Sequence, residues 1–311
     1  MTTALFLFIY AAVLVFFIAC LVRAYTYASA PAHLRWELYP VPHESRERLA
    51  HGGSYFESAD WWTQPAHFNL WGEIKFMVPE MLFLKGLWEF NRKLWFRSFP
   101  FHFGLYLIIG AAALVLGAAL LSLVDPGTAA GSAGRMLESA AQAVGVAGGL
   151  LCLIGALGLL HKRLSDPALR NYTAPGDIFN LVFFIVTLGF LFAAFLLAAS
   201  DAPSAPVLAR GLLTFDTGMR VPALTAVALA LAALLAAYIP LTHMSHFIAK
   251  YFTYHSVRWD DKATAHDSRT ARRIAEYLTY RPTWAAAHMT ADGKRTWLDI
   301  ATTNPAQGEK K

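Results

Sequence analysis

The sequence predicts an all-α integral membrane protein: a five-transmembrane-helix bundle with a cytoplasmic interfacial helical loop and a short cytoplasmic C-terminal extension. Three observations carry this. Of 311 residues, 56% are hydrophobic and only 15% charged, where a soluble domain carries roughly a quarter charged. Five apolar stretches, at 4–22, 101–124, 137–160, 178–200 and 222–248, approach or exceed the roughly 20 residues a helix needs to cross about 30 Å of hydrocarbon. Basic residues also gather in alternate connections, as the positive-inside rule requires.

Residues 1–23 form the first span. Ala28-Ser29-Ala30 resembles a signal-peptidase site, but no basic residue precedes the apolar run and Arg23 follows it. A cleaved signal shows the reverse order, so the expectation is an uncleaved helix. Lys and Arg cluster at 23–98, at 162–170 and after Lys250, whereas 125–136 and 201–221 hold only Arg135, Arg210 and Arg220. The N-terminus is therefore expected outside the cytoplasmic (inner) membrane and the C-terminus inside. The net charge of +5 follows from these loops and asks for no nucleic acid.

Residues 24–100 form a loop that runs from HLRWELYPVPHE (His33 to Glu44) into a stretch mixing Trp, Phe and Leu with Lys75, Lys85, Arg92, Lys93 and Arg97. Ile74, Met77, Met81, Leu84 and Trp88 recur at steps of three and four. That spacing predicts an amphipathic helix lying in the interface between Trp71 and Phe99, bent at Pro79. Its expected role is a collar that braces the bundle.

Residues 101–250 hold the other four spans. The third is diluted by Gly145, Gly148, Gly149, Gly155 and Gly158, which in a bundled membrane helix allow close backbone approach. Residues 251–311 are a polar, basic tail, too short for an enzyme domain and suited to docking a partner. Cys20 and Cys152 both fall inside spans. Two cysteines without a CxxC cannot hold an iron–sulfur cluster, so any such relay belongs to another subunit.

The chemistry lies in the histidines. An imidazole in hydrocarbon is costly and marks function. His102 begins the second span and His246 closes the fifth. Opposite helix directions bring both to similar depth on the cytoplasmic side, as two axial ligands of one haem must be. Bis-histidine ligation leaves no open iron position and suits electron transfer. Helix-to-helix hydrogen bonding is the plain alternative for the pair. His243, three residues before His246, is an alternative ligand or a contact for a haem propionate, and so is His161. Arg97, Lys162 and Arg163 are the nearest cations for propionates.

The stretch GLLCLIGALGLLHKRLSDPALRNYTAPGDIFNL (Gly149 to Leu181), FHFGL and the helix ending THMSH resemble the gamma subunit of respiratory nitrate reductase, a five-helix membrane cytochrome b. The similarity covers about residues 100–255. The HLRWELYPVPHE loop is similar instead to membrane subunits of Dsr, Tmc and heterodisulfide-reductase-like complexes. The resemblance implies a haem-b subunit of a multi-subunit oxidoreductase, not a stand-alone enzyme. It would pass electrons between a cytoplasmic iron–sulfur (heterodisulfide-reductase-like) subunit and menaquinone or another quinone. For that quinone the site candidates are His161, His43, Glu44 and Asp177, ionisable groups near the inner interface that each have an ordinary reading as headgroup-level residues.

The nitrate reductase family also holds a second, outer haem. The corresponding stretches here, Gly110 to Val115 and Thr225 to Ala233, contain no histidine. One haem b is therefore expected, and a second only with His161 or His243 as ligand. A lone inner-side haem places the quinone near the cytoplasmic leaflet, with its protons exchanged on that side. The alternative function is a haem-free structural anchor for a soluble redox enzyme. A transporter would favour broken helices or repeats, and the sequence shows no internal repeat.

Overall fold

The computed structural model describes residues 1–29, 59–60, 63, 70–198, 202–254, 266–282 and 292–303. The chain divides into two units, Met1–Cys20 with Ile74–Ser245, and Leu21–Glu73 with His246–Lys311. Among the described residues every regular element is helical. Five helices are long and apolar enough to cross a membrane: α1 (Thr2–Ser29), α4 (Arg92–Val124), α6 (Ser132–Ser165), α8 (Pro175–Leu196) and α10 (Ala223–Leu241). In sequence between α1 and α4 lie α2 (Leu70–Leu82) and α3 (Lys85–Phe90), and the short α5 (Pro126–Ala130) and α7 (Pro167–Arg170) flank α6.

Two expectations about helix limits change. The interfacial helix is not continuous from Trp71 to Phe99. Pro79 is tolerated inside α2, and the break comes at Leu84, whose φ of 53° is left-handed. This conformation costs a β-carbon-bearing residue on the order of 1 kcal/mol. Glu80 offsets it by accepting from the Gly86 amide at 2.8 Å, capping α3 from outside. The second span then begins at Arg92, where the Asn91 side chain accepts from the Leu94 amide at 3.1 Å. It runs unbroken through Pro100, so His102 lies well inside α4 and not at its start.

The fifth span, expected over 222–248, ends at Leu241. Pro240 withdraws an amide from the last turn, and Thr242 turns extended. The Thr242 hydroxyl then accepts from the Met244 amide at 3.3 Å and its carbonyl from the Ser245 amide at 3.1 Å. His243–Ser245 is therefore a 3₁₀ turn, and His246 opens a new helix, α11 (His246–Tyr254).

In the first unit, α4 and α6 meet along a seam of small residues. A β-carbon on Gly104 would lie 2.4 Å from the Cys152 amide nitrogen and 2.6 Å from the Gly148 carbonyl oxygen. One on Gly155 would meet the Phe101 backbone at 2.3 Å. Lipid tails are as apolar as leucine, so such backbone contact replaces the hydrophobic drive that packs soluble helices. Around the seam Phe101, Cys152, Ala156, Leu181, Phe184, Leu188 and Leu235 form the core, with the Phe101 and Phe184 rings edge-to-face at 5.0 Å.

A second cluster joins Leu5 and Phe6 of α1 to Val221 and Ala226. The Thr2 hydroxyl donates to the Met219 carbonyl at 2.9 Å, and Tyr10 Oη donates to the Leu212 carbonyl. These bonds fix the start of α1 beside α9 (Ala205–Leu213) and the connection into α10. In the second unit, α12 (Arg269–Leu278) is capped by Ser268, which accepts from Ala271. The short α13 (Trp297–Thr302) begins with a reciprocal Thr296–Asp299 capping box, and its Trp297 amide donates to the Tyr280 carbonyl at 3.0 Å.

Candidate functional site

One end of the bundle gathers the start of α4, the close of α6, the start of α8 and the close of α10. His102 lies on α4 about three turns in from that end, partly buried. Its Nδ1 is 2.8 Å from the Ser98 carbonyl oxygen and 3.3 Å from the Ser98 hydroxyl. A carbonyl only accepts, so Nδ1 carries the proton and Nε2 carries the lone pair. Metal-bound histidines are oriented in the same way, by a carbonyl or carboxylate on the other ring nitrogen. The ring also packs edge-on against Phe101 at 5.3 Å.

A polar knot ties the same end of α6, α8 and α10. Pro175 opens α8, and Asp177 accepts from the Ala174 amide at 3.0 Å. The same oxygen, Oδ2, lies 3.3 Å from Arg163 Nη1 of α6, and the other, Oδ1, lies 3.4 Å from Nε2 of His243 in the turn after α10. One turn on, Asn180 is 5% exposed. Its amide nitrogen is 3.2 Å from His243 Nε2, and Tyr238 Oη lies 2.9 Å from its amide oxygen. The Asp177 carboxylate asks for a proton on Nε2, and a half-turn of the Asn180 amide then presents oxygen to it while Tyr238 accepts from nitrogen. Phe179 and Phe183 hold the Tyr238 ring edge-on at 5.6 and 5.7 Å.

The knot separates the histidine candidates. The usual haem-ligating nitrogen of His243 is the one engaged by Asp177 and Asn180, which fits a supporting role better than ligation. His161 ends α6 exposed and makes no hydrogen bond or ion pair among the described residues. His246 opens α11, exposed, and belongs to the second unit. Of the propionate candidates, Lys162 pairs with Asp166 at 2.8 Å and Arg163 with Asp177. Arg97 donates to the Lys93 carbonyl at 2.5 Å, packs its stem on Gly158 and pairs with no carboxylate among the described residues. Of the quinone candidates, Asp177 is in the knot, and His43 and Glu44 lie outside the described residues.

Asn180 and Tyr238 are the site residues that sequence reasoning missed. An asparagine in the run DIFNLVFF was the available signal, since a buried amide in hydrocarbon must find a partner.

The family model described as nitrate reductase gamma subunit matches residues 87–260, more than half of the 311-residue chain. The chain belongs to the nitrate reductase gamma subunit family. Members are haem-containing membrane subunits of respiratory oxidoreductases, bind haem b and assemble into multi-subunit complexes. No curated protein and no solved structure matches the chain. The match includes α4, α6, α8, α10 and α11, and with them His102, the knot and His246. It leaves out α1, α2, α12 and α13.

Proposed function

We propose that this member of the nitrate reductase gamma subunit family is the haem-b, quinone-reacting subunit of a respiratory oxidoreductase in the cytoplasmic membrane. Its partner would be a cytoplasmic iron–sulfur subunit, heterodisulfide-reductase-like, and its lipid substrate menaquinone or a related quinone. The observation that carries the reading is His102, whose protonated Nδ1 is held by the Ser98 carbonyl so that Nε2 presents its lone pair. His102 and His246 are the residues that would hold the haem iron. A bound haem b supplies a reversible one-electron iron couple.

The chain's own residues do the rest. Ser98 sets the ring plane of His102. His243, engaged through Nε2 by Asp177 and Asn180, anchors the turn that leads into His246. Arg97, with no carboxylate partner among the described residues, is the propionate cation favoured here. For the quinone, Asp177 and His161 remain the candidates on the same end of the bundle, and protons would be exchanged there with the cytoplasm. Absence of histidine from the outer halves of the spans supports one haem. The basic connections support an outside N-terminus and an inside C-terminus.

A dithionite-reduced minus oxidised spectrum of the purified protein, with haem extracted and counted per polypeptide, tests this. One haem b is expected, lost in His102→Ala and in His246→Ala. Two haems would bring His161 or His243 in as a ligand. A colourless protein, indifferent to both substitutions, would turn the reading into that of a structural anchor.

A further inference from the structure

The helical hairpin ahead of the second span builds a concave site apart from the histidines and the polar knot. Left-handed Leu84 makes the turn from α2 into α3, and Trp95 Nε1 holds that turn by donating to the Phe83 carbonyl at 2.8 Å. Tyr106 Oη fixes the end of α2 against α4 by donating to the Met81 carbonyl at 2.7 Å. Between these elements lies a cavity of about 270 Å³, lined by Pro79, Phe83, Lys85, Trp88 and Trp95. Pockets that enclose a drug-sized molecule run from about 300 to 1,000 Å³, so this one suits a single fused ring whose chain stays outside.

Its walls are aromatic. The Trp88 and Trp95 rings meet edge-to-face at 4.8 Å, and Trp95 stacks on Phe99 at 4.5 Å. The charges placed at it balance, Lys85 and Arg92 against Glu80 and Glu89. Lys85 lies 3.6 Å from Glu89, Glu80 accepts from the Gly86 amide, and the Arg92 guanidinium lies over the Trp88 ring. A neutral occupant is therefore the one that fits. The polar groups left over are donors. The Trp88 indole N–H makes no hydrogen bond among the described residues, unlike that of Trp95. The Lys85 ammonium has three protons and one carboxylate neighbour. A planar, neutral ring that only accepts hydrogen bonds answers both donors, whereas an acyl chain answers neither.

Position narrows the class of ring. Trp95 and His102 are seven residues apart, two turns, so both stand on one face of α4 about 10 Å apart along its axis. We propose that this slot holds the ring of a lipid para-quinone, packed against the Trp88 and Trp95 indoles, with Trp88 Nε1 and Lys85 Nζ donating to ring carbonyl oxygens. The inference rests on the quinone-reacting function proposed above, and it moves the ring from Asp177 and His161 to the hairpin. Pro79, Phe83 and Lys85 lie ahead of residues 87–260, so most of the slot is built outside the stretch this chain shares with its family.

The test photolabels the purified full-length protein with an azido-naphthoquinone and maps the labelled peptides with and without excess menadione. Label in the hairpin, between Leu70 and Trp95, that menadione suppresses is the expected result. The menadione concentration for half suppression should rise about fivefold in Trp88→Phe, which keeps a ring and loses the N–H, and about fivefold in Lys85→Met, one hydrogen bond each. Trp71→Phe, exposed on α2 and outside the cavity lining, should leave it unchanged. Competed label around Asp177 or His161 instead overturns this site and leaves the quinone-reacting function standing. No competed label anywhere overturns both. Half suppression unchanged in both Trp88→Phe and Lys85→Met, or shifted equally in Trp71→Phe, also overturns the proposal.

Discussion

The seam between α4 and α6 and the knot at the ends of α6, α8 and α10 hold the same bundle by opposite means. Along the seam, Gly104, Gly148 and Gly155 bring backbone against backbone, and shape alone decides the fit. At the knot, Arg163, Asp177, His243, Asn180 and Tyr238 are linked through hydrogen bonds and ion pairs. The seam lies where a polar group would be stranded in hydrocarbon. The knot lies where helices end and water can reach Arg163 and His243. A membrane bundle thus relies on contact within its apolar depth and on polarity where its ends approach water.

The largest effect should come from the seam. Gly104→Ala puts a methyl group 2.4 Å from one backbone atom and 2.6 Å from another. Neither can swing aside as a side chain would, so the helices must part. A loss of roughly 3 kcal/mol is expected, read as a lower unfolding midpoint in detergent. Gly110, on the same helix, has nothing within 4 Å of an added β-carbon. Gly110→Ala should be neutral or slightly stabilising through helix propensity. Equal losses in the two variants would show that the seam is not a contact of fixed shape.

The knot should break more gently. Asn180→Leu keeps the volume but strands the Tyr238 hydroxyl, while exposed His243 can turn to water. About 1–2 kcal/mol should be lost, and a double-mutant cycle with Tyr238→Phe should return a coupling near 0.6 kcal/mol, the average for such bonds in membranes. The same variants sharpen the haem reading. If the knot positions the turn before His246, Asn180→Leu should shift the haem midpoint potential while the haem count stays at its wild-type value. An unchanged potential would leave the knot a purely structural clasp.

These regions were unequally legible in the sequence. The spans stood out because apolar length is a composition signal, and the glycines of the third span announced close approach before any partner was known. The left-handed Leu84 did not stand out, because nothing in FLKGLW separates a bend at leucine from one at glycine. The turn after Leu241 was half visible. Pro240 and Thr242 are breakers, yet the long apolar run ahead of them read as one helix to His246. The His243–Asp177 contact joins residues 66 positions apart (243 less 177), and no local pattern reports such a distance.

Thr187 gives the seam and the knot a shared control. It is 2% exposed on α8, two turns beyond Asn180, and its hydroxyl has no hydrogen-bond partner among the described residues. A buried hydroxyl left unpaired is a net cost. Thr187→Val keeps the shape and removes the polar atom, so a gain of about 1 kcal/mol is expected. A loss instead would mean that the hydroxyl meets a partner in the assembled protein, and a simultaneous change in the haem spectrum would identify that partner's neighbourhood.

The smallest effect belongs to the outermost ion pair of the same end. Lys162 holds Asp166 at 2.8 Å, and this bond, aided by the Ala168 amide, keeps the Asp166 carboxyl below its ordinary value of 3.8. A carboxylate with a lowered folded-state pKa stabilises the fold above its unfolded value. That contribution drains away as pH falls through the lowered one. Asp166→Asn should therefore matter at neutral pH and cease to matter in acid below the ordinary carboxylate range. Because the pair is only partly buried at a helix end, salt screens it, and the difference at neutral pH should shrink as ionic strength rises. Asn180→Leu, which removes hydrogen bonds of a neutral amide, should keep its full effect in high salt. If both differences fell together with salt, the knot would be an extension of the surface charges and its contrast with the seam would be one of exposure alone.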